Sequence, residues 1–186
     1  MKTMSKPLIA IIAPSGAGKT SLVNKVAKKY GLEVLKSYTT RPPRENDEAD
    51  LSSHNFCTMQ EAAFIAEHDE IIAKNWFNKF FYFATKSQLD SSDLYVTDVV
   101  GLKDLYRNYT GKPIISIYLD VDSSICAERM SKRGDSDEAI FERLRHDSEA
   151  FKDAKEYCDF VCDNSNQDRC NEICDFIDML MRYYND

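Results

Sequence analysis

Long hydrophobic runs are missing from this chain of 186 residues. The longest near its start, Leu8 to Ala13, has six residues, against about 20 for a membrane span. It is also short for the core of an export signal, and no small-residue cleavage site follows it. Neither a membrane partner nor export is therefore expected. Glycine and proline are scarce, at six and five residues, and no Gly/Ser linker, internal repeat or low-complexity tract interrupts the chain. One domain is expected, with room for a lid or a small insertion. Positive charge is in deficit: 24 Lys and Arg face 31 Asp and Glu, for a net charge of −7. Such a surface argues against a nucleic-acid partner.

Cysteine, by contrast, is plentiful, at positions 57, 126, 158, 162, 170 and 174. Without an export signal these are expected as free thiols in a reducing compartment, which points to a cytoplasmic protein. The pairs Cys158/Cys162 and Cys170/Cys174 lack the CxxC spacing of zinc ribbons, and the second falls on a helical pattern. Hydrophobic residues at 43% and charged residues at 30% describe an ordinary globular chain, long enough to bury a core. Its charge is uneven. Residues 1–50 hold nine Lys and Arg against five Asp and Glu, while the remainder hold 15 against 26. The basic start suggests a local anion site.

Strand and helix patterns alternate. Leu8 to Ile12 reads as a buried parallel strand. Thr20 to Tyr30 reads as a helix, with Leu22, Val23, Val26 and Ala27 on one face and Gly31 as its stop. A second strand is expected over Glu33 to Tyr38, then a loop over 39–55 around Pro42-Pro43, a helix over 59–68 and strands within 71–85. Further strands are expected over Leu94 to Val100 (ending at Gly101), Pro113 to Val121 and Phe160 to Cys162. Helices are expected over Ser123 to Lys132, from about Ser136 with Asp135 and Glu138 as a capping-box variant, and from Asp168 onward. The pattern predicts an α/β fold, an open parallel sheet flanked by helices with a small inserted subdomain. The aromatic cluster Trp76, Phe77, Phe80, Phe81, Tyr82 and Phe83 is expected mostly as that insertion's core.

The strongest chemical signal lies between the first strand and the first helix: Ala13-Pro-Ser-Gly-Ala-Gly-Lys-Thr20. It follows the phosphate-loop pattern GxxxxGK[ST], except that Ala13 stands for the first glycine. Gly16 and Gly18 let successive backbone N–H groups turn onto a phosphate chain, and the helix N-terminus adds partial positive charge. Lys19 is placed to reach the β- and γ-phosphates of ATP, and the Thr20 hydroxyl to ligate Mg²⁺. Pro14, Ser15, Ala17 and Ser21 complete the cofactor loop. A tight glycine turn with an exposed lysine would leave the strand–loop–helix context unexplained. The second signal is Ser37-Tyr-Thr-Thr-Arg41-Pro-Pro-Arg44. Two arginines stiffened by Pro42-Pro43 form a cationic fork suited to a phosphate monoester. Alone, that fork would read as a surface charge pair.

In the order of its motifs the chain resembles the guanylate kinase family, whose pattern runs GPSGxGK[ST], SxTTRxxRxxE…YxF, DVQG, RxxxRG…RL and DYVVVN. This chain carries APSGAGKT, SYTTRPPR, Glu48 and then His54-Asn-Phe56, Asp98-Val-Val-Gly101, Arg129-Met-Ser-Lys-Arg133-Gly134, Arg143-Leu144 and Asp159-Phe-Val-Cys-Asp-Asn164, over nearly its whole length. The resemblance implies a P-loop three-layer core (5–36, 92–122 and 150–186) that binds ATP and Mg²⁺. It further implies a β-rich subdomain (about 37–91) for a nucleoside monophosphate and a helical lid (about 129–149). On this resemblance Lys19, Thr20, Arg129 and Asn164 serve ATP, with Asn164 near adenine. Arg41, Arg44 and Tyr82 hold the acceptor phosphate, and Ser37 touches the base. Asp98 lies near metal and acceptor, and Arg133 and Arg143 neutralise the transferring phosphoryl group. A monomer or a homodimer is expected.

The departures concern the base. His54 stands where the family has a second tyrosine on the acceptor phosphate, after a one-residue insertion between Arg44 and Glu48. Ala73 stands for the Glu that pairs with guanine, Ala84 for a Thr or Ser, and Phe83 for a Gly. The step from Arg133 to Arg143 is one residue short. The phosphate machinery is expected to persist while the guanine reader weakens, with Glu70, Asn75 or Asn78 as substitutes. The bulk of Phe83 favours a smaller base such as that of dTMP, although GMP or dGMP is the family default. A ribose phosphate kinase and a non-catalytic module for phosphorylated peptides are the other readings. The retained Lys19 and lid arginines argue against the module.

Overall fold

The structure, a computed structural model, describes residues 5–43 and 53–184. Its first half runs β1 (Leu8–Ile12), α1 (Lys19–Tyr30), β2 (Ser37–Thr39), β3 (His54–Phe56), α2 (Met59–His68), β4 (Ile71–Phe77), β5 (Phe80–Thr85) and α3 (Lys86–Ser91). The second half runs β6 (Leu94–Thr97), α4 (Val99–Asn108), β7 (Ile114–Asp120), α5 (Ser123–Lys132), α6 (Asp137–Ala150), α7 (Ala154–Tyr157), β8 (Phe160–Asp163) and α8 (Gln167–Tyr183).

The main sheet is parallel, in the order β6-β1-β7-β8. Every residue of β1 is fully buried. Ile9 and Ile11 face α1 and α8, where Leu22, Val23, Val26, Ile173 and Ile177 meet them. Leu8, Ala10 and Ile12 face the other way, toward Leu102 and Leu105 of α4. The period of two thus feeds two apolar layers, which is why the strand reads as a continuous hydrophobic run. The result is the expected parallel sheet flanked by helices.

Several boundaries differ from the sequence reading, among them the loop expected over 39–55, which already contains the start of β3. β6 stops at Thr97, because the Asp98 carboxylate accepts the Gly101 N–H at 2.7 Å and caps α4. Val99, Leu102 and Leu105 then form a buried helical face, so Gly101 lies inside a helix. Around Glu33 the chain makes only a single parallel bridge, Val34 to Leu94, before it leaves the main sheet. Its strand begins at Ser37, in a second sheet. At α6 the cap is Ser136, accepting the Ala139 N–H at 3.3 Å, while Asp135 binds Arg133 instead.

The second sheet has the order β3-β2-β5-β4, with β2 antiparallel to β5 and β5 antiparallel to β4. The β4–β5 hairpin closes through Asn78 (φ 47°) and Lys79 (φ 69°). A bulge interrupts its ladder between Ile72 and Asn75, with Ala73 at φ 54°. Only part of the aromatic cluster is core. Phe83 is fully buried and stacks on Tyr38 (5.1 Å) and Phe81 (5.0 Å), whereas Trp76 is 59% and Phe77 38% exposed. A small, mainly antiparallel sheet covered on one face leaves its other face in water.

All six cysteines are free thiols. Among the described residues no group of three or more His, Cys, Asp or Glu could hold a metal ion, and no helix is long and apolar enough to cross a membrane.

Candidate functional site

A cleft of about 930 Å³ opens between the two sheets. Its floor is the loop from β1 into α1. Gly16 and Gly18 sit at φ 76° and 90°, left-handed backbone that glycine adopts without strain. Added Cβ atoms there would lie 2.5 Å from the Cys126 carbonyl oxygen and 2.8 Å from the Asn164 amide. Ala13 is not among the non-glycine residues with positive φ, so it replaces the first glycine without strain.

Lys19 turns its ammonium back onto the loop, donating to the carbonyls of Ala13 (2.5 Å) and Pro14 (2.8 Å). Burial pushes its pKa down to about 8, opposed first by the nearby Asp147 carboxylate. Thr20 and Ser21 also line the cleft. Asn164 donates its amide to the Ala17 carbonyl at 2.7 Å, while its buried Oδ1 has no hydrogen-bond partner. The Arg129 guanidinium bridges the carbonyls of Asn164 (2.9 Å), Ser165 (2.8 Å) and Gly16 (3.5 Å). It therefore ties the loop after β8 to the loop between β1 and α1.

The opposite wall comes from the second sheet. Ser37, His54, Asn75 and Tyr82 line it, with Asp98 at the end of β6. Asp98 accepts the Asn75 amide at 2.6 Å through its second oxygen. The His54 ring lies edge-on to Tyr82 at 6.1 Å. Arg41 adjoins this wall, donating Nε to the Tyr82 hydroxyl at 3.2 Å, its guanidinium 5.4 Å from the Phe56 ring centre. Arg44 lies outside the described residues. Arg133 and Arg143 enter from α5 and α6 and both line the cleft. The Asp135 carboxylate lies 2.5 Å from the first and 3.9 Å from the second.

The structure therefore gathers most of the expected residues around one space. Ala17 is fully buried and Pro14 faces a smaller neighbouring cavity. Three expectations about the base are corrected. Phe83 points away from the cleft into the aromatic stack, opposite Tyr82, and does not narrow it. Glu70 is exposed and off the wall, and Asn78 belongs to the hairpin turn. Of the three proposed substitutes only Asn75 reaches the cleft. The sequence reading missed Asp147, whose carboxylate accepts the Ser15 N–H at 2.6 Å. Its one signal was position: it follows Arg143 by four residues on the same helix.

The guanylate kinase family profile matches residues 4–180. The guanylate kinase of Pseudoalteromonas translucida is 30% identical over 182 residues, covering 94% of this chain and 87% of that protein. The one from Coxiella burnetii is 30% identical over 171 residues, covering 87% and 81%. A crystal structure of guanylate kinase from Anaplasma phagocytophilum has the same fold, with a TM-score of 0.70 at 20% identity, covering 98% of this chain and 88% of that one.

Proposed function

Because the chain belongs to the guanylate kinase family, we propose that this phosphotransferase moves the γ-phosphoryl group of MgATP to the 5′-phosphate of a nucleoside monophosphate, with GMP or dGMP as its default acceptor. The observation that carries the reading is the meeting of Lys19, Arg133 and Arg143 in one cleft with Tyr82 and Asp98 of the opposite wall. Phosphoryl transfer asks a protein mainly to position two anions and neutralise developing charge. Three cations between a phosphate loop and an acceptor wall answer that need.

The donor set suits ATP. The loop N–H groups and Lys19 would take its phosphates, and the orphaned Asn164 Oδ1 offers an acceptor to adenine's exocyclic amine. Thr20 and Asp98 supply oxygen donors of the kind Mg²⁺ prefers. Held by those oxygens, the metal would supply positive charge to offset that of the phosphates. Arg133 and Arg143, on a lid formed by α5 and α6, would exclude water and stabilise the phosphoryl group in flight.

Phosphoryl transfer is measured with ATP over GMP, dGMP, IMP, AMP, dTMP, CMP, UMP and ribose phosphates. Transfer to a nucleotide is expected, and Lys19→Ala should abolish it without unfolding the chain. Undiminished transfer in that variant would remove the assignment. Arg41→Ala or Arg44→Ala should weaken acceptor binding ten- to a hundredfold, from about 1.5–3 kcal/mol per charge-assisted hydrogen bond. ATP affinity, followed by calorimetric titration, should stay unchanged.

Asn75 supports a weaker guanine preference. A carboxylate only accepts, so Asp98 fixes the Asn75 amide with Nδ2 toward itself. Oδ1 and one N–H are left for a base. An amide can answer the O6/N1–H edge of guanine, but it does not replace a carboxylate that takes N1–H and N2–H together. IMP, which lacks the N2 amine, should then reach kcat/KM within about tenfold of GMP. A ratio above about a thousandfold would mean that another residue reads N2.

A further inference from the structure

We propose that Asp147 is a positioning residue: it docks α6 on the phosphate loop and thereby sets Arg143 over the phosphoryl group. The proposal rests on the kinase reading above. Asp147 and Ser15 lie 132 positions apart in sequence, yet the carboxylate accepts the Ser15 backbone N–H at 2.6 Å. That is short even for a charge-assisted bond. The side chain is only 10% exposed. A carboxylate so far withdrawn from water is costly unless its oxygens are satisfied. One is held by the loop, and the other lies 3.2 Å from His146 Nδ1. The His146 ring in turn meets Phe77, the last residue of β4, edge-on at 4.7 Å.

The direction of approach matters. Asp147 lines a separate cavity of about 200 Å³ with Pro14, Tyr118, Cys126 and Leu144. It is not on the wall of the main cleft, whereas Arg143 is. The carboxylate thus grips the loop from its outer side, leaving the N–H groups turned by Gly16 and Gly18 for phosphate. Arg143 and Asp147 are four apart on a 14-residue helix and so share a face, one turn from each other. A rigid helix pinned at Asp147 fixes where Arg143 can reach. A displacement of even an ångström at a group that touches the reacting atoms can cost about a hundredfold in rate.

A plain packing contact would lower stability without touching what Arg143 does, and a double-mutant cycle separates the two. kcat and KM for MgATP with GMP are measured for the wild-type chain, Asp147→Ala, Asp147→Asn, Asp147→Glu, Arg143→Ala and the double variant Arg143→Ala with Asp147→Ala, together with melting temperatures. Asp147→Ala should lower kcat about ten- to a hundredfold with KM for MgATP within about threefold. Asp147→Asn keeps an oxygen for the Ser15 N–H and should recover most of kcat. Asp147→Glu keeps the charge but lengthens the arm, so it should lose kcat in a chain that still melts like wild type. The double variant should be no slower than Arg143→Ala, because Asp147 acts through that arginine. Additive losses in the double variant would overturn the proposal. So would an effect confined to KM, or full kcat in Asp147→Glu, which serves if the alanine variant does not fold. A wild-type chain that transfers nothing overturns the kinase reading and this proposal together; additivity in an active chain overturns this proposal alone.

Discussion

Lys19 is held neutral more readily than a surface lysine, with its pKa lowered to about 8 by burial. Two consequences follow from the sign. The folded state gives up this proton near pH 8, while the unfolded chain keeps it to about 10.4. Lys19 therefore weighs against folding at neutral pH, and stability should gain as pH climbs through that window. A triphosphate beside the ammonium favours the charged form, so MgATP binding should draw protons from solution. Above about pH 8 a net uptake of protons should appear, read by calorimetry in buffers of different ionisation enthalpy. Lys19→Arg, which does not titrate there, should show none. At this scale the phosphate loop was legible because its chemistry demands left-handed glycines and a lysine in one short stretch. Asp147 was not, because its partner lies 132 positions away and no local pattern encodes the contact. Asn75 became distinguishable from Asn78 and Glu70 only once the bulge after Ile72 fixed which side chains face the cleft.

Elements were legible where periodicity was strong. α5 runs over Ser123–Lys132 as the sequence predicts, and β1 and α1 fall within a residue of expectation. Boundaries failed where a polar side chain competed for backbone groups. Asp98 ends β6 three residues before the apolar run does, because a carboxylate on an N–H outweighs the β preference of two valines. The β4–β5 hairpin offers a test of local strain. Both turn residues have positive φ, the pattern of a type I′ turn, yet the second is Lys79 where glycine is favoured. Lys79→Gly should relieve about 1 kcal/mol and raise the urea midpoint without changing the slope. A lower midpoint would show that the lysine side chain contributes more than its backbone costs.

The whole molecule carries a net charge of −7 and is proposed to admit two polyanions to one cleft. The cations that face the cleft must offset that field locally. Salt should therefore raise KM for both nucleotides several-fold between about 0.05 and 0.5 M KCl, with kcat within about twofold. A salt-independent KM would mean that close contacts alone set affinity. At this scale the alternation of strand and helix made the main sheet readable, while β2 and β3, of three residues each, gave little periodic signal. The arrangement around Arg129 bears on mechanics. One guanidinium fastens the phosphate loop, through Gly16, to the segment carrying Asn164 and Ser165. Those pieces come from opposite ends of the chain, yet they are riveted into a single stiff jaw. Closure should then bring the sheet of β2 to β5 onto that jaw, so this sheet should show slower hydrogen exchange when both nucleotides are bound while the loop and the segment of Asn164 change little.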